Sequence, residues 1–86
     1  MRSPELTEAE LRFKLAVTSL VLQGVYPGPV QIRRHLGREP GSMTINGRET
    51  QWRRELLTSF GWFERSHPAK RRHSFVPPLD WHGRLT

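Results

Sequence analysis

The chain has 86 residues, which is enough for one compact domain with a single small core. Its composition, 35% hydrophobic and 26% charged, excludes a disordered tail, and the absence of cysteine excludes a disulfide framework and a thiolate metal site. The net charge of +6 points to a polyanionic partner, for which nucleic acid is the first choice.

The positive charge is concentrated in the last two thirds of the chain. Residues 1–23 carry three basic and three acidic side chains, residues 24–61 carry six and three, and residues 62–86 carry five and two. No signal-peptide pattern and no apolar stretch of membrane-spanning length is present in the sequence. We therefore expect a cytoplasmic, nucleoid-associated protein with no membrane partner.

A first helix is predicted to begin after Thr7. Thr7 and Glu10 have the spacing of a capping box, in which each side chain bonds a backbone amide at the helix start. The helix is expected to end by Gly24, before the turn-forming Pro-Gly-Pro at 27–29.

The helical period assigns the first helix a main apolar stripe, formed by Leu11, Leu15, Thr18 and Leu22, and Ala16, Val17, Leu20 and Val21 widen it. The large apolar side chains off the main stripe itself are Phe13, Val17 and Leu20. If exposed, these three side chains would form an apolar strip suited to pairing two copies of the chain. A homodimer through the first helix is thus one expected arrangement, and it implies DNA half-sites about one helical turn apart.

The second helix is predicted to start at Pro29, because the missing proline N–H suits the first helical position, and to last about two turns, to Gly37. Residues 38–43 predict an irregular connector, since Pro40 and Gly41 interrupt both the helical and the strand period.

The third helix is predicted from Glu49 to Phe60, and both Thr44 and Asn46 are suitable N-caps before it. Steps of about 100° per residue around its axis bring one apolar group together, namely Trp52, Leu56, Leu57 and Phe60. The opposite side holds Thr50, Gln51, Arg54 and Thr58, with Arg48 beside them in the first turn.

Two short aromatic-bearing segments, 62–66 and 72–76, flank the polar loop 67–71 and predict a β-hairpin. The Pro-Pro pair that follows ends the second strand, because proline cannot donate to the ladder. The whole chain is expected to form a single domain, with a core over residues 7–77 and a C-terminal tail over 78–86. The sequence leaves open whether this tail packs on the core through Trp81 or leaves that side chain exposed.

The order of three helices and a basic hairpin, with Leu-Leu at 56–57 and Gly-Trp at 61–62, resembles winged helix-turn-helix domains. The resemblance covers roughly residues 7–77. It implies a mainly α fold with a small β-hairpin, of the α+β class, in the order helix, helix, helix, strand, strand. It also implies that the third helix enters the DNA major groove and that the hairpin, called the wing, lies on the DNA backbone or in the minor groove.

The polar side of the third helix supplies the candidate base-reading residues. Arginine presents a two-donor fork to guanine, glutamine can pair with adenine, and threonine offers a hydroxyl and a methyl group. The candidates are therefore Arg48, Thr50, Gln51 and Arg54. Contacts to the DNA backbone are assigned to Thr44, Asn46, Arg65, His67, Lys70, Arg71, Arg72 and His73.

Two alternatives explain the same residues without DNA. Arg48 and Arg54 could form a solvated helix face paired with Glu49 and Glu55, and the basic hairpin could simply blunt the edge of a sheet. Arg53 lies on the apolar side of the third helix, so its stem is expected to cover apolar surface while its head meets a carboxylate or a phosphate.

The four histidines do not form a metal or catalytic pattern, because no two of them stand three to five residues apart. The sequence contains no nucleophile elbow and no phosphate-cradling glycine-rich loop. We expect that the protein is not an enzyme and that it uses no cofactor, metal or small-molecule substrate.

Taken together, these features predict sequence-specific binding of double-stranded DNA, by a transcriptional regulator or by a phage or plasmid control protein. The alternative is a winged-helix protein–protein interaction module within a larger nucleoprotein assembly, because winged helices serve both purposes.

Overall fold

The computed structural model describes residues 7–39, 44–67 and 72–83, and at 66, 67, 72 and 73 it describes the backbone alone. Three helices are followed by a two-stranded antiparallel hairpin. The elements are α1 (Glu8–Leu22), α2 (Pro29–His35), α3 (Gly47–Ser59), β1 (Phe63–His67) and β2 (Arg72–Val76). The mainly helical α+β architecture and the order of its elements are those that the sequence predicts.

Local sequence signals set the helix starts. The Thr7 hydroxyl accepts a hydrogen bond from the backbone N of Glu10 at 3.1 Å and so caps α1. Of the two N-caps considered for α3, Asn46 is the one used, in a complete capping box with Glu49. Pro29 opens α2 as predicted.

The core lies where α1 packs against α2 and α3 and where the hairpin closes over the end of α3. Its buried hydrophobic residues are Phe13, Ala16, Val17, Leu20, Ile32, Leu57, Trp62 and Phe75. These residues come from all three helices and from the hairpin, so every element is held in place by one shared apolar cluster.

The main apolar stripe predicted for α1 is wrong, because its leucines face outward, whereas Ala16, Val17 and Leu20, which were expected only to widen it, are buried. Phe13, Val17 and Leu20 are 1%, 0% and 6% exposed, whereas Leu11 and Leu15 are 46% and 59% exposed. Because α1 carries large apolar side chains on two opposite sides, its period alone does not say which side meets α2 and α3. The dimer surface predicted from the three buried side chains is therefore also wrong, since they form the centre of the core.

The apolar side predicted for α3 is only partly its buried side. The buried residues of this helix are spaced by four and are Glu49, Arg53 and Leu57. Phe60, expected among the core residues, is 38% exposed at the C-cap, and Trp52 is only half-buried. Two of the three buried positions are thus charged, and their partners determine how α3 is held.

The hairpin strands pair antiparallel over their whole length, with Phe63 opposite Val76 at the base. β1 begins at Phe63, one residue later than the predicted segment 62–66. Trp62 is buried in the core and is not paired with β2.

The described part of the tail after β2 packs back on the body through Trp81, a point that the sequence leaves open. Its indole Nε1 donates to the backbone O of Val21 at 2.9 Å, and its ring meets the Trp62 ring edge-on with the centroids 4.9 Å apart. Gly24 has a φ of 77°, and a Cβ at this position would lie 3.0 Å from the backbone O of His82. The described part of the tail therefore belongs to the folded body and requires a glycine at the end of α1.

Within the ranges that the structure describes, no helix has both the length and the apolar character needed to cross a membrane.

Candidate nucleic-acid interface

An ion pair between Arg38, three residues after the end of α2, and Glu49, in the first turn of α3, joins the connector to α3. Both terminal nitrogens of Arg38 donate to the Glu49 carboxylate, which also accepts a hydrogen bond from the backbone N of Asn46 at 3.3 Å. The Glu49 side chain is 7% exposed, and the hydrogen bond from Arg38 lowers the pKa of its carboxyl below the ordinary 4.5. The same bond raises the pKa of Arg38. A single carboxylate thus caps α3 and fixes it to the preceding segment.

The lowered pKa of Glu49 predicts how the free energy of unfolding depends on pH. Since the folded pKa of Glu49 is depressed, its stabilising contribution is present above about pH 4.5 and is lost as the pH falls through the folded pKa. We expect Glu49→Gln to be less stable than the wild type near neutral pH and the two unfolding free energies to converge in acid. Urea unfolding of both proteins at a series of pH values measures this difference.

Glu55→Gln is a suitable control, because Glu55 is half exposed and its ion pair with Lys14 spans 3.6 Å. Its stability difference from the wild type should be small at every pH. A Glu49→Gln difference that stayed constant from neutral to acid pH would contradict the assigned role of the Glu49 charge.

Arg33 closes the same connector through backbone oxygens. Its Nη2 donates to the O of Glu39 at 2.9 Å, and its Nη1 donates to the O of Thr44 at 3.4 Å, so it bridges the two sides of the segment 40–43. The Nε atom of Arg33 is buried and has no hydrogen-bond partner among the described residues. Thr44, predicted to contact the DNA backbone, is exposed just before α3, and its carbonyl is already used by Arg33.

Arg48 and Gln51 lie on the exposed face of α3, three residues apart and therefore adjacent on the helix surface. Arg48 has neither a hydrogen bond nor an ion pair with any residue in the described ranges. Thr58, about two turns after Gln51, is also exposed on this helix. The structure therefore places Arg48 and Gln51 together, as the sequence predicts, with the Arg48 guanidinium available to a ligand.

Arg54 is bonded to the protein itself. Its Nε donates to the two carboxylate oxygens of Glu64 at 3.1 and 3.2 Å, and its Nη1 donates to the Oε1 of Gln51 at 3.2 Å. The pair with Glu64 connects α3 to β1. To present both terminal donors to a base, Arg54 has to release its bond to Gln51, so it is a less accessible candidate than Arg48.

Thr50 and Asn46 have roles at the start of α3. The Thr50 hydroxyl donates to the backbone O of Asn46 at 3.0 Å, and the Asn46 Oδ1 accepts from the backbone N of Glu49 at 2.8 Å. Thr50 is half-buried, whereas Asn46 is exposed. The hydroxyl proton of Thr50 is therefore already used within the helix, which leaves its methyl group and the oxygen lone pairs for a base.

The pairing suggested by the solvated-face alternative is wrong. Glu49 binds Arg38 rather than Arg48, while Glu55 accepts a hydrogen bond from Gln51 at 3.2 Å and lies 3.6 Å from Lys14. Glu55, the acidic residue on the outer face of α3, is thus balanced by Lys14 of α1. Glu55 therefore does not neutralise Arg48 or Arg54.

Arg53 is buried, as its position on the apolar side of α3 indicates, but the partner predicted for its head group is wrong. Its Nε donates to the backbone O of Pro27 at 2.8 Å, and its guanidinium carbon lies 4.9 Å from the centroid of the Phe75 ring. Burial lowers the pKa of Arg53, while the electrostatic attraction of the nearby Tyr26 hydroxyl opposes this effect. The head therefore meets a carbonyl and aromatic groups instead of a carboxylate or phosphate, and Arg53 holds α3 against the hairpin.

The described part of the hairpin presents Arg65 as an exposed cation on β1, opposite Ser74 in the ladder. His67, Arg72 and His73 lie in the two strands, and only their backbone is described. Lys70 and Arg71, the other two predicted phosphate contacts of the hairpin, lie outside the described residues.

Sequence reasoning did not identify two residues that position this surface, Arg38 and Glu64. Glu64 carried a weak signal, as the one acidic residue bordering the basic cluster of the hairpin. Arg38 carried none, because its partner Glu49 is eleven residues away across an irregular connector.

Comparison with known proteins gives no match, since no family model, no curated protein and no solved structure matches this chain.

Proposed function

We propose that the protein is a winged helix that binds double-stranded DNA sequence-specifically, with α3 in the major groove and the hairpin on the DNA backbone or in the minor groove. The order of three helices and an antiparallel hairpin supports this proposal, as does the net charge of +6. Control of transcription is the biological role that we propose for such binding.

The observation that carries the proposal is the state of Arg48. Most arginines of the described ranges are bound within the protein: Arg12, Arg33, Arg38, Arg53 and Arg54 each have a partner in the fold. Arg48 is exposed without such a partner among the described residues and stands beside exposed Gln51, whose amide would exchange its bonds to Arg54 and Glu55 for a base. A guanidinium and an amide at adjacent positions on a helix surface match the hydrogen-bonding edges of guanine and adenine in the major groove.

In this proposal, affinity and specificity come from different elements. The cations of the hairpin, beginning with Arg65, neutralise phosphates and add affinity for any sequence. The Arg38–Glu49 and Arg54–Glu64 pairs hold α3 at a fixed position relative to the connector and to β1, so that Arg48 and Gln51 meet the base edges in one orientation.

Selection from a randomised duplex pool tests the proposal. The protein is incubated with the pool at low salt, bound duplexes are sequenced over several rounds, and the affinity of an enriched duplex is then measured at rising salt. We expect one enriched sequence and a linear decrease of the logarithm of affinity with the logarithm of salt concentration. Absence of binding at low salt would overturn the proposal in favour of a protein-interaction module.

The double variant Lys70→Ala/Arg71→Ala should bind the enriched duplex and a random duplex more weakly by the same factor. Each lost phosphate contact is expected to reduce the salt slope by about 0.9, because fewer counterions are released. Fluorescence anisotropy titrations at several salt concentrations measure both quantities. A loss confined to the enriched duplex would contradict the assignment of these residues to phosphate.

A further inference from the structure

The exposed face of α3 has an acidic residue near its centre. The buried side of this helix is centred on Arg53, and at about 100° per residue Glu55 lies about 200° away from it, almost on the opposite side. Gln51 and Glu55 are exposed, whereas Thr50 and Arg54 are half-buried. A ligand that approaches α3 therefore meets Gln51 and Glu55 before it meets Thr50 or Arg54.

Polar contacts to the neighbouring elements hold this face from both sides. The Nε of Arg54 donates to Glu64 of β1, and the Oε1 of Glu55 lies 3.6 Å from the Nζ of Lys14 in α1. Between them, Gln51 accepts a hydrogen bond from Arg54 and donates one to Glu55, each at 3.2 Å. In the free protein a continuous row of polar contacts thus crosses α3 from β1 to α1, and it holds the Glu55 carboxylate at the outer surface of the helix.

A carboxylate on a helix that enters the major groove has few suitable partners among the bases. It only accepts hydrogen bonds, and its two oxygens provide about four acceptor sites, of which Gln51 and Lys14 occupy part. The donors in the major groove are the amino groups of cytosine and adenine, whereas guanine and thymine present acceptor oxygens. The adenine amino group stands beside the N7 acceptor, which repels a carboxylate. Cytosine is therefore the base that fits Glu55 best.

The charge of Glu55 has a cation beside it on the protein side. The Lys14 side chain is 20% exposed and is held at 2.9 Å from Glu10 and at 3.6 Å from Glu55. Because the Lys14 ammonium stays near the carboxylate when α3 approaches the phosphates, it reduces the repulsion and the desolvation cost that an isolated carboxylate would meet. The exposed face thus offers a cationic donor group at Arg48 and an anionic acceptor group at Glu55.

We propose that Glu55 reads a cytosine in the DNA site, by accepting a hydrogen bond from the N4 amino group and by repelling the acceptor groups of guanine and thymine at that position. This inference rests on the proposed function, because it requires α3 to lie in the major groove. Arg48 and Glu55 are seven residues apart, which is about 10 Å along a helix and therefore about three base-pair steps when the helix follows the groove. The two residues thus specify different base pairs.

Parallel selections from a randomised duplex pool, with the wild type, Glu55→Gln and Arg48→Ala, test the inference. The wild type should prefer cytosine at one position by about tenfold over the other bases. Glu55→Gln keeps the size of the side chain and removes its charge, so it should lose this preference and keep the preferences at the other positions. Arg48→Ala should keep the cytosine and lose the preference at a different position. Anisotropy titrations with the selected duplex and its single-base variants measure each preference.

Glu8→Gln is the matched control, because it removes the same charge from an exposed glutamate of α1, and it should select the same sequence as the wild type. Circular dichroism verifies that all variants are folded. If Glu55→Gln bound every duplex more tightly by one common factor and selected the wild-type sequence, Glu55 would only repel phosphates, and the inference would be overturned while the proposed function stands. A loss of preference at every position in Glu55→Gln would overturn it in the same way. A wild type that enriches no sequence would overturn both the inference and the proposed function.

Discussion

Replacement of Arg53 by alanine is expected to lower the free energy of unfolding by about 3 kcal/mol, a large share of the roughly 5–10 kcal/mol available to a domain of this size. The variant leaves the backbone O of Pro27 buried without its donor and removes the guanidinium from the Phe75 ring. It also empties the space that the Arg53 stem fills in the α3 surface facing the hairpin. The relief of a desolvated charge offsets only part of this loss.

Urea unfolding followed by tryptophan fluorescence measures the effect, and two variants make the comparison specific. Arg53→Met also leaves the Pro27 carbonyl without its donor, but it keeps an unbranched apolar stem and removes the buried charge, so it should lose about 1–2 kcal/mol, less than Arg53→Ala. Arg54→Ala removes a neighbouring arginine whose side chain is 38% exposed, and it should lose less than about 1 kcal/mol. If Arg53→Ala were no less stable than Arg54→Ala, the assignment of Arg53 as the buried anchor of α3 would be wrong.

Replacement of Arg48 by alanine is expected to weaken binding to the selected DNA sequence by about 1–3 kcal/mol and to relax the preference for one base pair. The affinity for random DNA should change much less, because a base contact contributes only where the matching base is present. Arg48 is exposed and has no partner among the residues described, so the fold should tolerate its loss. Anisotropy titrations with the selected duplex, its single-base variants and random duplexes measure the three affinities.

Arg34→Ala is the matched control for this prediction. Arg34 is an exposed arginine of α2, also without a partner within the described ranges, and its removal makes the same change in net charge. It should leave the ratio of selected to random affinity unchanged. Equal losses of that ratio in both variants, or an unchanged ratio in Arg48→Ala, would remove Arg48 from the base-reading set.

Arg54 illustrates why a helical wheel overstates a binding face. The wheel puts Arg54 on the polar side of α3 together with Gln51, and both are there. The wheel contains no information on β1, however, and Glu64 of that strand accepts two hydrogen bonds from the Arg54 Nε. Which arginine of α3 is available to a ligand thus depends on a neighbour ten residues away.

The elements of this protein follow from local sequence, because their signals act over a few residues. Thr7 and Asn46 cap helices through amides three residues on, and Pro29 opens α2 with a donor that it lacks. The alternation of aromatic and polar residues around a basic loop specifies the hairpin. The excess of positive charge after residue 23 is likewise a property of the sequence alone.

The tertiary structure decides which side of each helix meets the rest of the molecule. α1 is apolar on two sides, and only its packing against α2 and α3 buries Phe13 and Val17 while leaving Leu11 and Leu15 exposed. The partners of the α3 charges are decided in the same way, since Arg53 donates to the backbone O of Pro27, which is 26 residues away in the chain. Local periodicity fixes where side chains point around a helix axis, but burial and pairing depend on what the fold brings to that side.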